Sequence, residues 1–144
     1  MIIAEVQVEA SREDALGYDF RLLANYIFGN NTMQQDIAMI APVQQQFVDD
    51  SWQISFVMPA KYNMETLPKS RNEHVTLNEI PAKQFVVIIF SGTNSDKNIK
   101  AHKEKLMGHI KSNNLSITGS PKYAFYNPPW TLPPMRRNEI MFEI

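Results

Sequence analysis

The sequence predicts an α+β protein built from two strand–helix–strand–strand halves. Three observations predict it: apolar residues alternate with period two in several short runs, they recur at helical spacing in two stretches that each follow a serine, and this order of signals occurs twice along the chain. A unit of this kind cannot bury its sheet face alone. The two halves are therefore expected to share a mostly antiparallel sheet with both helices against it.

Ile3, Ala4, Val6 and Val8 alternate with polar residues and give the first strand. Ser11-Arg-Glu-Asp14 has the form of a capping box, and Leu16, Phe20, Leu23 and Ile27 then fall on one helical stripe. Gly29 offers the left-handed residue at which that helix stops. Ile37 to Val48 and Trp52 to Met58 are extended segments separated by Asp49-Asp50-Ser51, a turn-prone cluster, and predict an antiparallel hairpin. Pro59 to Asn72 holds two prolines and no periodicity, and reads as the connection between halves.

The second round begins with Val75 to Glu79, which leads through Pro81 into Phe85-Val-Val-Ile-Ile-Phe90. That run is all β-branched and aromatic and is expected to be the most buried strand. Past Gly92, Ser95 can cap a helix with the stripe Ile99, Lys103, Leu106 and Ile110, the lysine stem lying along the core edge and Lys111 favoured by the helix dipole. Leu115 to Tyr126 and Glu139 to Ile144 supply the closing strands.

A chain of 144 residues with 44% hydrophobic and 20% charged residues suits one globular domain, 1–144, and lacks the composition of disorder. Its 14 basic and 15 acidic residues are spread along its length, so no footprint for nucleic acid or an anionic membrane appears. The lysines at 97, 100, 103 and 105 read as a solvated helix face. The lack of cysteine excludes disulfides, zinc thiolates, iron–sulfur ligation and thiol nucleophiles. No apolar run approaches the length of about 18 residues that crosses a bilayer. The chain opens directly on a strand pattern, as one trimmed of a signal or first strand would, so a soluble cytoplasmic or periplasmic location is expected without a choice between them. Gly-x-Ser-x-Gly, Gly-rich phosphate loops, His-Glu-x-x-His and dinucleotide fingerprints are all missing from the sequence, and no enzyme is predicted.

Several blocks occur in an order that resembles the SOUL haem-binding family: AEVQVEA, LLANYIFGNN, IAMIAPV, ISFVMPAKYNMETLP, IPAKQFVVIIFSG and YNPPWTLPPMRRNEIMFEI. They cover nearly the whole chain, and the last, Tyr126 to Ile144, is the most distinctive. The resemblance implies a distorted antiparallel β-barrel flanked by two helices, made of two βαββ-like halves related by a pseudo-two-fold repeat. It also implies a bacterial haem- or tetrapyrrole-binding protein. The sequence departs from the family in two ways. It lacks the usual strand before AEVQVEA, to which a proposed axial histidine belongs, and Ile40 stands where the family commonly has Thr in Met-Thr-Ala-Pro-Val.

Haem requires a flat apolar surface, partners for two propionates and, optionally, an axial ligand. Met39 matches the family's motif methionine and is expected against the ring, or else fills the core. Arg136 and Arg137 can fork a propionate, or pair with Glu139 or Glu143. Trp130 can stack on a porphyrin or pin its proline-rich loop. His102 and His109 lie near one helical face but about 10.5 Å apart along the axis, too far to chelate one ion; each is either a lone axial ligand or a boundary histidine. His74 is isolated from any partner in sequence. The expected function is thus non-catalytic binding of a tetrapyrrole in an apolar groove between helix and sheet, with Met39 on its wall. The alternative is a protein-interaction or small-hydrophobe-binding module presenting Tyr126-Asn-Pro-Pro-Trp130, a rigid aromatic loop of the kind found at recognition surfaces.

Overall fold

The computed structural model describes residues 1–9, 11–37, 40–127 and 131–144, which form two compact units, Met1–Ala82 and Lys83–Ile144. The first contains β1 (Ile2–Val8), α1 (Arg12–Ile27), β2 (Ile40–Val48), β3 (Ser51–Val57) and β4 (Thr76–Glu79). Its strands are antiparallel in the order β4-β1-β3-β2. Alternation places Ala4 beside Phe56 and Val6 beside Ile54, and these side chains close the core with Leu23, Tyr26 and Ile27 of α1. Leu16 and Phe20, the rest of the expected stripe, have side chains outside the description.

Local chemistry sets the element ends. The Ser11 hydroxyl accepts from the Asp14 N–H at 3.2 Å and caps α1, and Gly29 follows that helix at φ 114° as its sequence position suggests. Asp49 and Asp50 both have positive φ, 51° and 62°, which is the backbone of a two-residue primed hairpin turn between β2 and β3. The stretch from Pro59 to Asn72 is more than a connection. Leu67 and Pro68 are buried, the Tyr26 hydroxyl donates to the Pro68 carbonyl, and the Thr32 N–H donates to the Lys69 carbonyl at 2.8 Å. Asn31, fully buried, donates to the Tyr26 and Gln35 carbonyls and accepts from the Met33 and Gln35 amides, so its polar atoms are satisfied within this loop system. β4 pairs with β1 and completes the first unit, where the sequence order suggested the start of the second.

The second unit contains β5 (Phe85–Phe90), α2 (Asp96–Ser112), β6 (Thr118–Phe125), a 3₁₀ turn at Pro133–Met135 and β7 (Asn138–Glu143). Its antiparallel order is β6-β7-β5. Ser95 caps α2 by accepting from the Asn98 N–H at 3.3 Å, and Ile99, Leu106 and Ile110 form the buried stripe, with Lys103 half-buried at its edge.

The repeat is visible in the pairing. In each unit the strand before the helix pairs with the second strand after it, so β1-β3-β2 corresponds to β5-β7-β6. The bulges correspond too: Ile40 to Val43 takes three steps against one on β3, and Thr118 to Lys122 takes four against two on β7, so each holds two extra residues. Each contains a proline, Pro42 or Pro121, where the disrupted ladder tolerates a missing N–H.

Two expectations are corrected. Among the described residues β4 pairs with β1 alone and β5 with β7 alone, so neither unit's strands close into a barrel. The all-apolar β5 is also not the most buried strand: Val87 is 41% and Ile89 61% exposed. A continuous apolar run is buried on both faces only where both faces are covered; among the described residues β5 is an edge strand, and its Val87 and Ile89 face away from the α2 side on which Phe90 meets His102. The buried strand is β7, between β6 and β5, in which Asn138 to Phe142 are all buried.

Candidate functional site

Two of the expected site residues that the structure describes, Arg136 and Arg137, belong to the segment joining β6 to β7. Its two ends meet where the Tyr126 N–H donates to the Arg137 carbonyl at 3.2 Å and the Arg137 N–H donates to Asn127 Oδ1 at 2.5 Å. The paired prolines favour the short 3₁₀ turn, which is fixed to the end of β5. There the Gly92 N–H donates to the Pro133 carbonyl at 2.9 Å, and the buried Asn138 amide donates to the Gly92 carbonyl at 3.0 Å. Gly92 has φ 102°, and an added Cβ would stand 2.7 Å from Asn98 Nδ2, which itself donates to the Ser91 and Thr93 carbonyls.

A buried carboxylate organises the end of this segment. Glu139 is 5% exposed and accepts from the Tyr126 hydroxyl at 2.5 and 3.2 Å. Arg137 Nη2 lies 3.4 Å from the same carboxylate, and its guanidinium carbon is 4.6 Å from the centre of the Tyr126 ring. Burial pushes the Tyr126 hydroxyl up to about 12, aided by its hydrogen bond to Glu139 and the charge there, with Arg137 opposing. The phenol therefore holds its proton and acts as a donor, while the Arg137 side chain remains 54% exposed and presents donors outward.

The two arginines consequently play different parts. Arg136 is half-buried and its Nε donates to the Thr131 carbonyl at 2.7 Å, bracing the segment. Arg137 takes the Glu139 partnership that adjacent sequence allowed, and Glu143 is taken by Lys83 at 3.4 Å. Met39 and Trp130 lie outside the described residues.

The histidines are not brought together. His102, half-buried on α2, stacks on Phe90 with centroids 4.2 Å apart and planes at 10°. Its Nδ1 is 2.8 Å from the Asn98 carbonyl, which only accepts, so Nδ1 carries the proton in the neutral ring and Nε2 keeps its lone pair. His109 is exposed, with Nδ1 3.3 Å from the Asn113 amide near the end of the helix. Among the described residues no cluster of three His, Asp or Glu side chains could hold a metal ion. None of the helices, over the same residues, is long and apolar enough to cross a membrane.

Sequence reasoning missed the central place of Tyr126 and Glu139, which it treated as a loop aromatic and an ion-pair partner, and it missed Lys122. On β6, Lys122 lies with its ammonium 5.4 Å from the centre of the Phe85 ring. A lysine inside a strand pattern was the available signal; its neighbour across β7 depends on the bulged register of β6.

Comparison with solved structures shows that the fold recurs. The crystal structure of the EcmrR C-terminal domain matches with TM-score 0.76 at 13% identity, over 99% of this chain and 89% of that one. The cryo-EM structure of an EcmrR–DNA complex matches with TM-score 0.74 at 13% identity, over 98% of this chain and 52% of that one. At such identity the likeness concerns the fold alone, and the DNA named for the second belongs to that complex. No curated protein sequence matches the chain. A family model described as SOUL heme-binding protein matches residues 1–143, nearly the full length, and the chain belongs to that family.

Proposed function

We propose that this protein binds haem or a related tetrapyrrole as a non-catalytic binding module. The observation that carries the reading is the family match across residues 1–143. The chain's own residues fit such a group in two respects. Arg137 keeps donors at the surface for a carboxylate, and β5 exposes apolar side chains at Val87 and Ile89. When bound, haem would supply an iron centre and a visible absorption band; the chain supplies apolar surface and charge.

Packing is the main source of affinity in this reading, and iron ligation is secondary. A tetrapyrrole buries a large apolar area, whereas the described residues offer single histidines rather than a ligand cluster. Arg137 serves as the propionate partner, and Arg136 as the brace of its segment. His109 is too far from His102 along the helix to share an ion with it.

The test is titration of purified protein with ferric haemin and with iron-free protoporphyrin, following the Soret band and comparing an unrelated protein of similar charge. Saturable one-to-one binding of both is expected. His102→Ala should leave the binding of both unchanged, because His102 stacks on Phe90 on the side of β5 that α2 covers. A lack of saturable binding by either porphyrin overturns the proposal.

A further inference from the structure

Within the second unit the two faces of the sheet are unlike. Phe90 stacks on His102, so the face that carries Phe90, Ile140 and Phe142 is the one against α2. On that face Phe90, Ile140 and Phe142 are buried, as are Ile99, Leu106 and Ile110 of the helix, while Val86 and Ile88 are half-buried. The helix side of this unit's sheet is thus the more buried of its two faces on β5.

Alternation puts Phe85, Val87 and Ile89 on the opposite face, beside Glu143, Met141 and Glu139 of β7. There the apolar side chains of β5 are open to solvent, Ile89 at 61% and Val87 at 41%. Five residues of strand span about 13 Å, comparable with the width of a porphyrin macrocycle. Solvent-exposed β-branched side chains in a row, on a strand without a charged residue, mark a surface with an apolar partner.

Cations stand at both ends of this strip. Lys122, which pairs with Met141, lies over the Phe85 ring, and Arg137 lies over the Tyr126 ring beside Glu139. Met141 and Arg137 are four residues apart along the chain, so the two cationic residues are separated by about 13 Å of backbone, which their long side chains can narrow. The acidic group in the Phe85 row, Glu143, is paired with Lys83, and Glu139 is bonded by Tyr126 and Arg137. The strip therefore offers an apolar floor with the cationic side chains of Arg137 and Lys122 at its margins, whose donors can meet the carboxylates of a flat apolar molecule.

We propose that the helix-free face of β5 is the ligand surface, with Val87 and Ile89 beneath the macrocycle and Arg137 and Lys122 receiving its carboxylates. This rests on the tetrapyrrole reading and adds where the ligand lies and which of its groups are recognised. Arg137 serves without being created anew, since its guanidinium has five donors and Glu139 engages only part of them.

The experiment compares protoporphyrin with its dimethyl ester, in which both carboxylates are masked, on the full chain and on Arg137→Gln, Lys122→Gln and Ile89→Glu, with Lys105→Gln on the exposed side of α2 as control. Each cation variant should weaken protoporphyrin about fivefold and leave the ester unchanged. Ile89→Glu should weaken both ligands at least about tenfold, because the new charge would be desolvated by the ring. Far-UV circular dichroism checks the fold of each variant. Line broadening of methyl signals in the unmutated protein by ferric haemin gives an independent readout: Val87 and Ile89 should broaden while Leu106 and Ile110 stay sharp. Wild-type affinity in all three variants, or broadening on the helix side alone, overturns this placement while the tetrapyrrole reading stands. Failure of the unmutated protein to bind any porphyrin overturns both.

Discussion

β5 and β7 are adjacent strands of six residues each, and their compositions invert their environments. β5 reads Phe-Val-Val-Ile-Ile-Phe and leaves Ile89 61% exposed, whereas β7 reads Asn-Glu-Ile-Met-Phe-Glu and buries its first five residues. β7 has a strand on each side and its polar residues have partners: the Asn138 amide donates to the Gly92 carbonyl and Glu139 receives the Tyr126 hydroxyl. A strand's depth is thus set by what flanks it, and a polar side chain is admitted to the interior where its hydrogen bonds are provided. Apolar residues left outside are then candidates for contact with something other than the chain itself.

The difference can be broken most strongly at Ile140, which is wholly buried in the middle of β7. Ile140→Ala should cost about 3 kcal/mol in denaturant unfolding through lost burial and the cavity left behind. Glu139→Ala comes next, at about 2 kcal/mol, because it strands the Tyr126 hydroxyl beside a removed acceptor. The same variant should bring the Tyr126 titration down from about 12, since both the hydrogen bond and the charge of Glu139 hold it up. An unchanged alkaline titration would show that Glu139 does not act on that phenol.

Smaller effects sharpen the comparison. Gly92→Ala, at φ 102° with Asn98 Nδ2 in the way, should cost about 1–2 kcal/mol by straining the junction between β5 and the segment before β7. Ile89→Ala, by contrast, should change unfolding free energy by no more than about 0.5 kcal/mol, as expected for an exposed site. A loss at Ile89 equal to that at Ile140 would mean that β5 is as deeply packed as its composition suggests.

The pH dependence has a definite sign. Tyr26 and Tyr126 are both raised from 10.0 to about 12, Tyr26 by burial and then the nearby Tyr62, Tyr126 by burial and then Glu139. A group whose folded pKa lies above its unfolded value stabilises fully below the unfolded value and loses that contribution as pH rises through the folded one. These two phenols therefore contribute steadily below about pH 10, and their share of the stability falls between pH 10 and about 12. Unfolding midpoints measured across that window check it.

Much of the fold was legible in the residues. Ser11 and Ser95 cap the two helices, the Asp49-Asp50 pair turns the first hairpin, and the order of signals gives the repeat that the pairing and the proline-bearing bulges of β2 and β6 display. These features depend on a residue and its immediate neighbours along the chain, so a linear pattern can report them. Arg137 as partner of Glu139 was legible for the same reason, being two residues away.

What the tertiary structure alone decided involves segments far apart in sequence. β4 joined β1 across more than seventy residues, the Pro68 carbonyl found the Tyr26 hydroxyl, and β7, not the more apolar β5, took the central place in its unit. Hydrophobic periodicity states which face of an element prefers to be covered; whether anything covers it depends on the strands and helices that distant parts of the chain deliver. The sequence by itself therefore determined the elements, their repetition and the family, while the folded chain decided which apolar surface was left open and which charges stand at its edges.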